Sequence, residues 1–96
     1  PLSHTLRSFQ STLQFFSVEV MDAQKLKTNF GRRVRSLRKL RDLTQRELAE
    51  EVALSVEYVS RIERGESSPS FAVISGLARA LEVNPSDLFD FSELKV

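Results

Sequence analysis

From about Lys25 onward, apolar positions recur at three- and four-residue intervals, and that spacing predicts helices. Between Lys25 and Arg41, Phe30, Val34 and Leu37 follow i, i+4, i+7 spacing with Leu40 nearby, and Arg and Lys cover the rest; Gly31 weakens this helix only locally. Thr44 offers a hydroxyl N-cap, and Glu47 three residues later completes a capping box. A second helix therefore starts there and runs to about Val52, with Leu48, Ala49 and Val52 inward. Ser55 is the next cap, and Gly65 can end the helix it opens in a left-handed conformation. After the loop Glu66-Ser67-Ser68-Pro69, Ser70 caps a fourth helix with the stripe Phe71, Ile74, Leu77, Ala78 and Leu81. Asn84-Pro85 then opens a short fifth helix through Leu88 and Phe89. The expectation is an all-α, compact five-helix domain over residues 21–96.

Residues 1–20 differ: they carry one base and one acid, Arg7 and Glu19, and are rich in Ser, Thr, Gln and Phe. Because Met21 is the only methionine, this stretch reads as an N-terminal extension, a fusion remnant or translated upstream sequence. Alternatively, Leu13, Phe15, Val18 and Val20 alternate with polar residues as a short strand would, forming an arm that needs a partner strand.

Composition narrows the function. With no cysteine there is no disulfide framework and no thiolate zinc site, which fits a reducing cytoplasm. The longest apolar run falls far short of the roughly 20 residues that span a bilayer, so no membrane partner is expected. Net charge is only +1, but it is unevenly spread. Between Lys25 and Arg46 nine basic residues face one acid, Asp42, whereas from Glu82 onward four acids face Lys95 alone. A polyanion docking on one face suits that asymmetry.

The helix after Ser55 carries the candidate chemistry. At 100° per residue, Glu57, Ser60, Arg61 and Arg64 share an arc of about 100°, with Tyr58, Val59 and Ile62 on the other half and Glu63 at its margin. Ordinary surface helices have such a face too. What favours a DNA probe is the context: a short capped helix before it, a compact turn at Ala53, small Ala49 where the two helices approach, and a basic segment alongside.

Leu37-Arg38, Leu43-Thr44-Gln45 with Glu47-Leu48-Ala49, Tyr58 through Gly65, Pro69-Ser70 and Leu77-Ala78-Arg79-Ala80-Leu81 together resemble the Cro/C1-type (Xre-like) phage-repressor family over residues 26–90. The resemblance implies a lambda-repressor-like DNA-binding domain containing a helix-turn-helix. It implies that Val56, Glu57 and Arg61 read base edges and that Thr44, Gln45, Arg46, Ser55, Tyr58, Ser60 and Arg64 contact or position the phosphate backbone. It also implies that Arg38 and Glu63 form a structural ion pair. Chemically, Arg61 can grip guanine O6 and N7, Glu57 can accept from a cytosine amino group, and Val56 can cover a thymine methyl. Glu57 equally suits a first-turn acid favoured by the helix dipole. One departure from the family is Ala53, where glycine is usual: either the turn carries a small strain or its geometry shifts.

There is no histidine after His4, no phosphate-cradling glycine loop and no carboxylate pair at a catalytic spacing, so an enzyme is not expected. The expected function is a sequence-specific double-stranded DNA-binding regulator acting as a homodimer on a roughly palindromic operator. No cofactor, metal or small-molecule effector is expected. Leu88, Phe89, Phe91 and Leu94, more apolar residues than a small core needs, are the expected dimer surface. Among small family members a restriction-modification controller protein is the subtype most resembled. The alternative is an antitoxin or other protein-interaction module on the same fold.

Overall fold

The computed structural model describes residues 21–94. The expectations for residues 1–20 lie outside the described residues. The described residues form α1 (Ala23–Leu40), α2 (Gln45–Val52), α3 (Val56–Glu63), α4 (Phe71–Leu81) and a 3-10 helix, Pro85–Phe89. The expected fifth helix is thus a 3-10 turn. Five residues are too few for a regular α-helical ladder, so the segment closes with tighter 3-10 bonds.

Each α-helix starts where a short polar side chain accepts an otherwise orphaned amide. Asp22 accepts from the Lys25 N–H at 2.7 Å, which begins α1 two residues before the sequence pattern indicates. Thr44 and Glu47 form the reciprocal box at 3.0 and 2.8 Å. Ser55 accepts from Tyr58 at 3.1 Å and Ser70 from Val73 at 3.2 Å.

The helix ends use left-handed residues. Gly65, at φ 76°, closes α3, with the amides of Gly65 and Glu66 returned to the carbonyls of Ile62 and Arg61. Ala53 closes α2 at φ 58°, ψ 41°, so the turn keeps its left-handed geometry and the alanine carries the strain. Ala53→Gly is therefore expected to raise stability by roughly 0.5–1 kcal/mol, read as a higher urea midpoint at unchanged slope.

The core joins Phe30, Val34 and Leu37 of α1 to Leu48 and Ala49 of α2, Val59 and Ile62 of α3, Leu77, Ala78, Ala80 and Leu81 of α4, and Leu88. Val52 packs against it, half buried. Two expected core residues face outward instead. Leu40 is 74% exposed: the phase set by Phe30, Val34 and Leu37 continues to Arg41 and turns Leu40 aside. Phe71 is 87% exposed, because it stands at the first position of α4 and borders a surface groove rather than the core.

Gly31 has a larger role than the sequence pattern suggested. A Cβ there would sit 2.2 Å from the Ile62 carbonyl oxygen and 2.7 Å from that of Glu63. The end of α3 lies directly on the α1 backbone at this point. Thr28 abuts Gly65 one turn away, where Gln24 also donates to the Gly65 carbonyl at 3.1 Å.

Candidate nucleic-acid interface

Two helices joined by a three-residue connection, α2 and α3, form the unit that presents the candidate site. Inwardly, Val59 and Ile62 are enclosed in the core and fix the rotation of α3 about its axis. Outwardly, Glu57 and Arg61 are exposed and lie one turn apart. Val56 and Tyr58 are half buried and pack against the core, so each offers only its outer edge to a ligand.

A buried polar network sets the position of α3 relative to its neighbours. Arg38 donates Nε to Glu63 Oε2 at 2.6 Å and Nη2 to Oε1 at 3.0 Å, with the side chains 9% and 2% exposed. Its Nη1 donates to the Leu43 carbonyl at 2.7 Å. Gln45 Nε2 donates to Glu63 Oε1 at 3.0 Å. One carboxylate thus ties α1, the entrance to α2 and the exit of α3 together, and a doubly bonded Arg–carboxylate pair holds direction as well as distance. One of the two Gln45 amide hydrogens is committed here, leaving the other and the backbone amides of Gln45 and Arg46 open to an anion, since the Glu47 amide is held by Thr44.

At the entrance to α2, Thr44 and Arg46 are exposed, with the Thr44 hydroxyl oxygen accepting from Glu47. Ser55 is exposed and serves as the α3 cap. Arg64 reaches back along the outer face of α3 and donates to the Ser60 hydroxyl. Its other donors go to Glu66, Nε to Oε2 at 3.0 Å and Nη2 to Oε1 at 3.1 Å. That pairing raises the Arg64 pKa and holds the Glu66 carboxyl below its ordinary value.

Glu66 was not a candidate from the sequence: it lies past Gly65, off the helix, where helical phase no longer says which way a side chain points. Arg33 was missed as well. It is one of the basic residues that the sequence pattern places around the outside of α1, but it is 8% exposed and donates Nε to the Asp87 carbonyl at 2.8 Å, fastening the 3-10 helix to α1.

The expected dimer residues separate. Leu88 is fully enclosed, which removes it from any surface: the 3-10 helix must fill the space between α1 and α4, and Leu88 is its inward residue. Phe91 and Leu94 are half buried, and Phe89 is 42% exposed, with its ring centroid 5.0 Å from Phe30 and 6.5 Å from Phe91. The apolar surface lies instead along a groove bordered by Leu26, Phe30, Phe71, Ile74 and Phe89.

No helix among the described residues is long and apolar enough to cross a membrane. A helix-turn-helix family profile, HTH_3, matches residues 34–88. Control protein C.BamHI of Bacillus amyloliquefaciens is 39% identical over 66 residues, covering 68% of this chain and 82% of that protein. The HTH-type transcriptional regulator YazB of Bacillus subtilis is 39% identical over 59 residues, 62% of this chain and 86% of that one. The crystal structure of the restriction-modification controller protein C.AhdI from Aeromonas hydrophila superposes with a TM-score of 0.64 at 40% identity, over 65% of this chain and 94% of that one. The chain belongs to the HTH_3 helix-turn-helix family of DNA-binding transcriptional regulators.

Proposed function

We propose that the protein binds a roughly palindromic operator as a homodimer, each copy laying α3 in the major groove. The observation that carries this reading is the exposed Glu57–Arg61 stripe on a helix whose opposite side is locked by Val59, Ile62 and the Glu63 network. A groove reader needs both halves of that arrangement, reach on one side and rigidity on the other. Arg61 grips guanine O6 and N7, Glu57 accepts from a cytosine amino group, and the outer edge of Val56 meets a thymine methyl. Thr44, Gln45, Arg46, Ser55, Tyr58, Ser60 and Arg64 position the phosphate backbone.

Pairing about a two-fold axis sets two reading helices about 34 Å apart, one DNA turn. The surface for that pairing is the groove edge at Leu26, Phe71, Ile74 and Phe89, uncharged except for Lys27. Phe71 projects beside a groove on its own face, so two copies can exchange knob and groove symmetrically. Similarity to C.BamHI and C.AhdI favours a controller-type regulator of the cytoplasm, responding to its own concentration.

Sites selected from random duplexes test the reading. On the selected site, Arg61→Ala is expected to cost about 1–3 kcal/mol and to relax choice at one base position, whereas Gln45→Ala weakens all sequences alike. Equal losses for Arg61→Ala on selected and random DNA would remove Arg61 from base reading. Sedimentation of wild type as a monomer at tens of micromolar, with and without DNA, would remove the dimer.

A further inference from the structure

We infer that Glu66 is an intramolecular competitor for the DNA backbone: it occupies the guanidinium fork of Arg64, so that the free protein holds this arginine in a charge-neutral pair that a phosphate must displace. The inference rests on the placement of Arg64 at the backbone in the reading above, and it adds a residue that lowers affinity.

The geometry is specific. Arg64 is the residue that caps the end of α3, on the same outer arc as Glu57, Ser60 and Arg61. Both Glu66 oxygens accept from it, at 3.0 and 3.1 Å, through Nε and Nη2. That edge is one of those that take phosphate or a guanine edge in parallel hydrogen bonds, so carboxylate and phosphate compete for the same donors. The third nitrogen, Nη1, is held by Ser60. The two side chains are 50% and 53% exposed, so water and DNA have access and exchange needs no unfolding.

The surrounding charge keeps both partners ionised. Glu57 adds to the field that keeps Arg64 protonated, and Arg61 adds to the field that keeps Glu66 ionised. The outer face of α3 with its exit loop therefore carries two arginines balanced by two glutamates, although the segment from Lys25 to Arg46 is strongly basic. Of the two acids, Glu57 lies where it can meet a base. Glu66 lies beyond the helix, bound to a backbone-positioning arginine, and has no base-reading use in this arrangement.

Glu66→Gln tests this directly, because the amide keeps the size and an acceptor but loses the charge. Binding of the full chain to its selected duplex is measured by fluorescence anisotropy across a salt series. The variant is expected to bind about 1.4- to fivefold tighter for each copy on the duplex, the range to which the strength of an exposed ion pair converts. Its log K against log salt is expected to steepen by about one ion per half-site, because no displaced carboxylate is left to take up a cation. Both gains are expected to disappear in an Arg64→Ala background. Unchanged or weaker binding by Glu66→Gln overturns the inference, as does an equal gain in the Arg64→Ala background, which would mean general charge removal. A wild-type chain that forms no duplex complex overturns the site assignment and this inference together. Normal wild-type binding beside an unaltered Glu66→Gln variant overturns this inference alone.

Discussion

Gly31→Ala is expected to lower stability by about 3 kcal/mol, because the added methyl meets backbone rather than a side chain that could swing away. The ideal Cβ would lie 2.2 Å from one α3 carbonyl oxygen and 2.7 Å from the next, so α3 must lift off α1. In a domain this small that loss corresponds to a fall in Tm of about 12 °C or more. Gly76 provides the contrast. It sits within α4 with nothing within 4 Å of the added atom, and alanine there is expected to stabilise by about 0.8–1 kcal/mol through helix propensity. Thermal unfolding of the two variants side by side separates close approach from propensity. A Gly31→Ala protein melting within a degree or two of wild type would show that the helix crossing is looser than described.

The second large effect comes from the buried pair. Removing Arg38 as Arg38→Ala leaves the Glu63 carboxylate, with its side chain 2% exposed, holding only the Gln45 amide, and it also strips a donor from the Leu43 carbonyl. An uncompensated buried charge of this kind costs about 3–5 kcal/mol. Replacing both partners, as Arg38→Met with Glu63→Leu, is expected to recover most of that, since neither charge is then stranded. Wild type, Arg38→Met, Glu63→Leu and the double variant form a double-mutant cycle read by denaturant unfolding, and additive losses would deny the coupling. Recovery of stability need not restore DNA binding. Without Glu63 the entrance to α2 is no longer tied to the exit of α3, so the double variant is expected to fold yet bind the selected duplex more weakly than wild type.

These two sites show how differently parts of the structure were legible. The starts of α2, α3 and α4 could be read from Thr44, Ser55 and Ser70, and the end of α3 from Gly65, because a cap is a contract between residues three or four apart. Asp22 was overlooked for a related reason: it lies ahead of the first apolar repeat, where periodicity has no signal. The Arg38–Glu63 pairing came from family resemblance, and nothing in the spacing of 25 residues required it. Its connection to Gln45 appeared only in three dimensions.

The apolar surface differs from the sequence expectation for a geometric reason. Counting surplus hydrophobic residues near the C-terminus pointed to Leu88, Phe89, Phe91 and Leu94 together. A short 3-10 helix turns its side chains to different sides, so Leu88 is enclosed while Phe89 stays partly exposed. Phe71 has the phase of a core residue but stands at the helix end, and phase alone does not say how far the core extends along the axis.

By itself, then, the amino-acid order determined the four α-helices, the starts of α2, α3 and α4, the end of α3 and the arc of α3 on which Glu57, Ser60, Arg61 and Arg64 fall. Those features depend on hydrogen bonds and side-chain periodicity within a few residues. Only the tertiary structure decided that Gly31 is a crossing point, that Glu63 serves three elements, that Phe71 rather than Leu88 faces outward, and that Glu66 closes on Arg64. The first three arise where backbones distant in sequence meet, through steric exclusion and the desolvation of charge. The last arises past a helix end, where no repeating geometry carries direction forward.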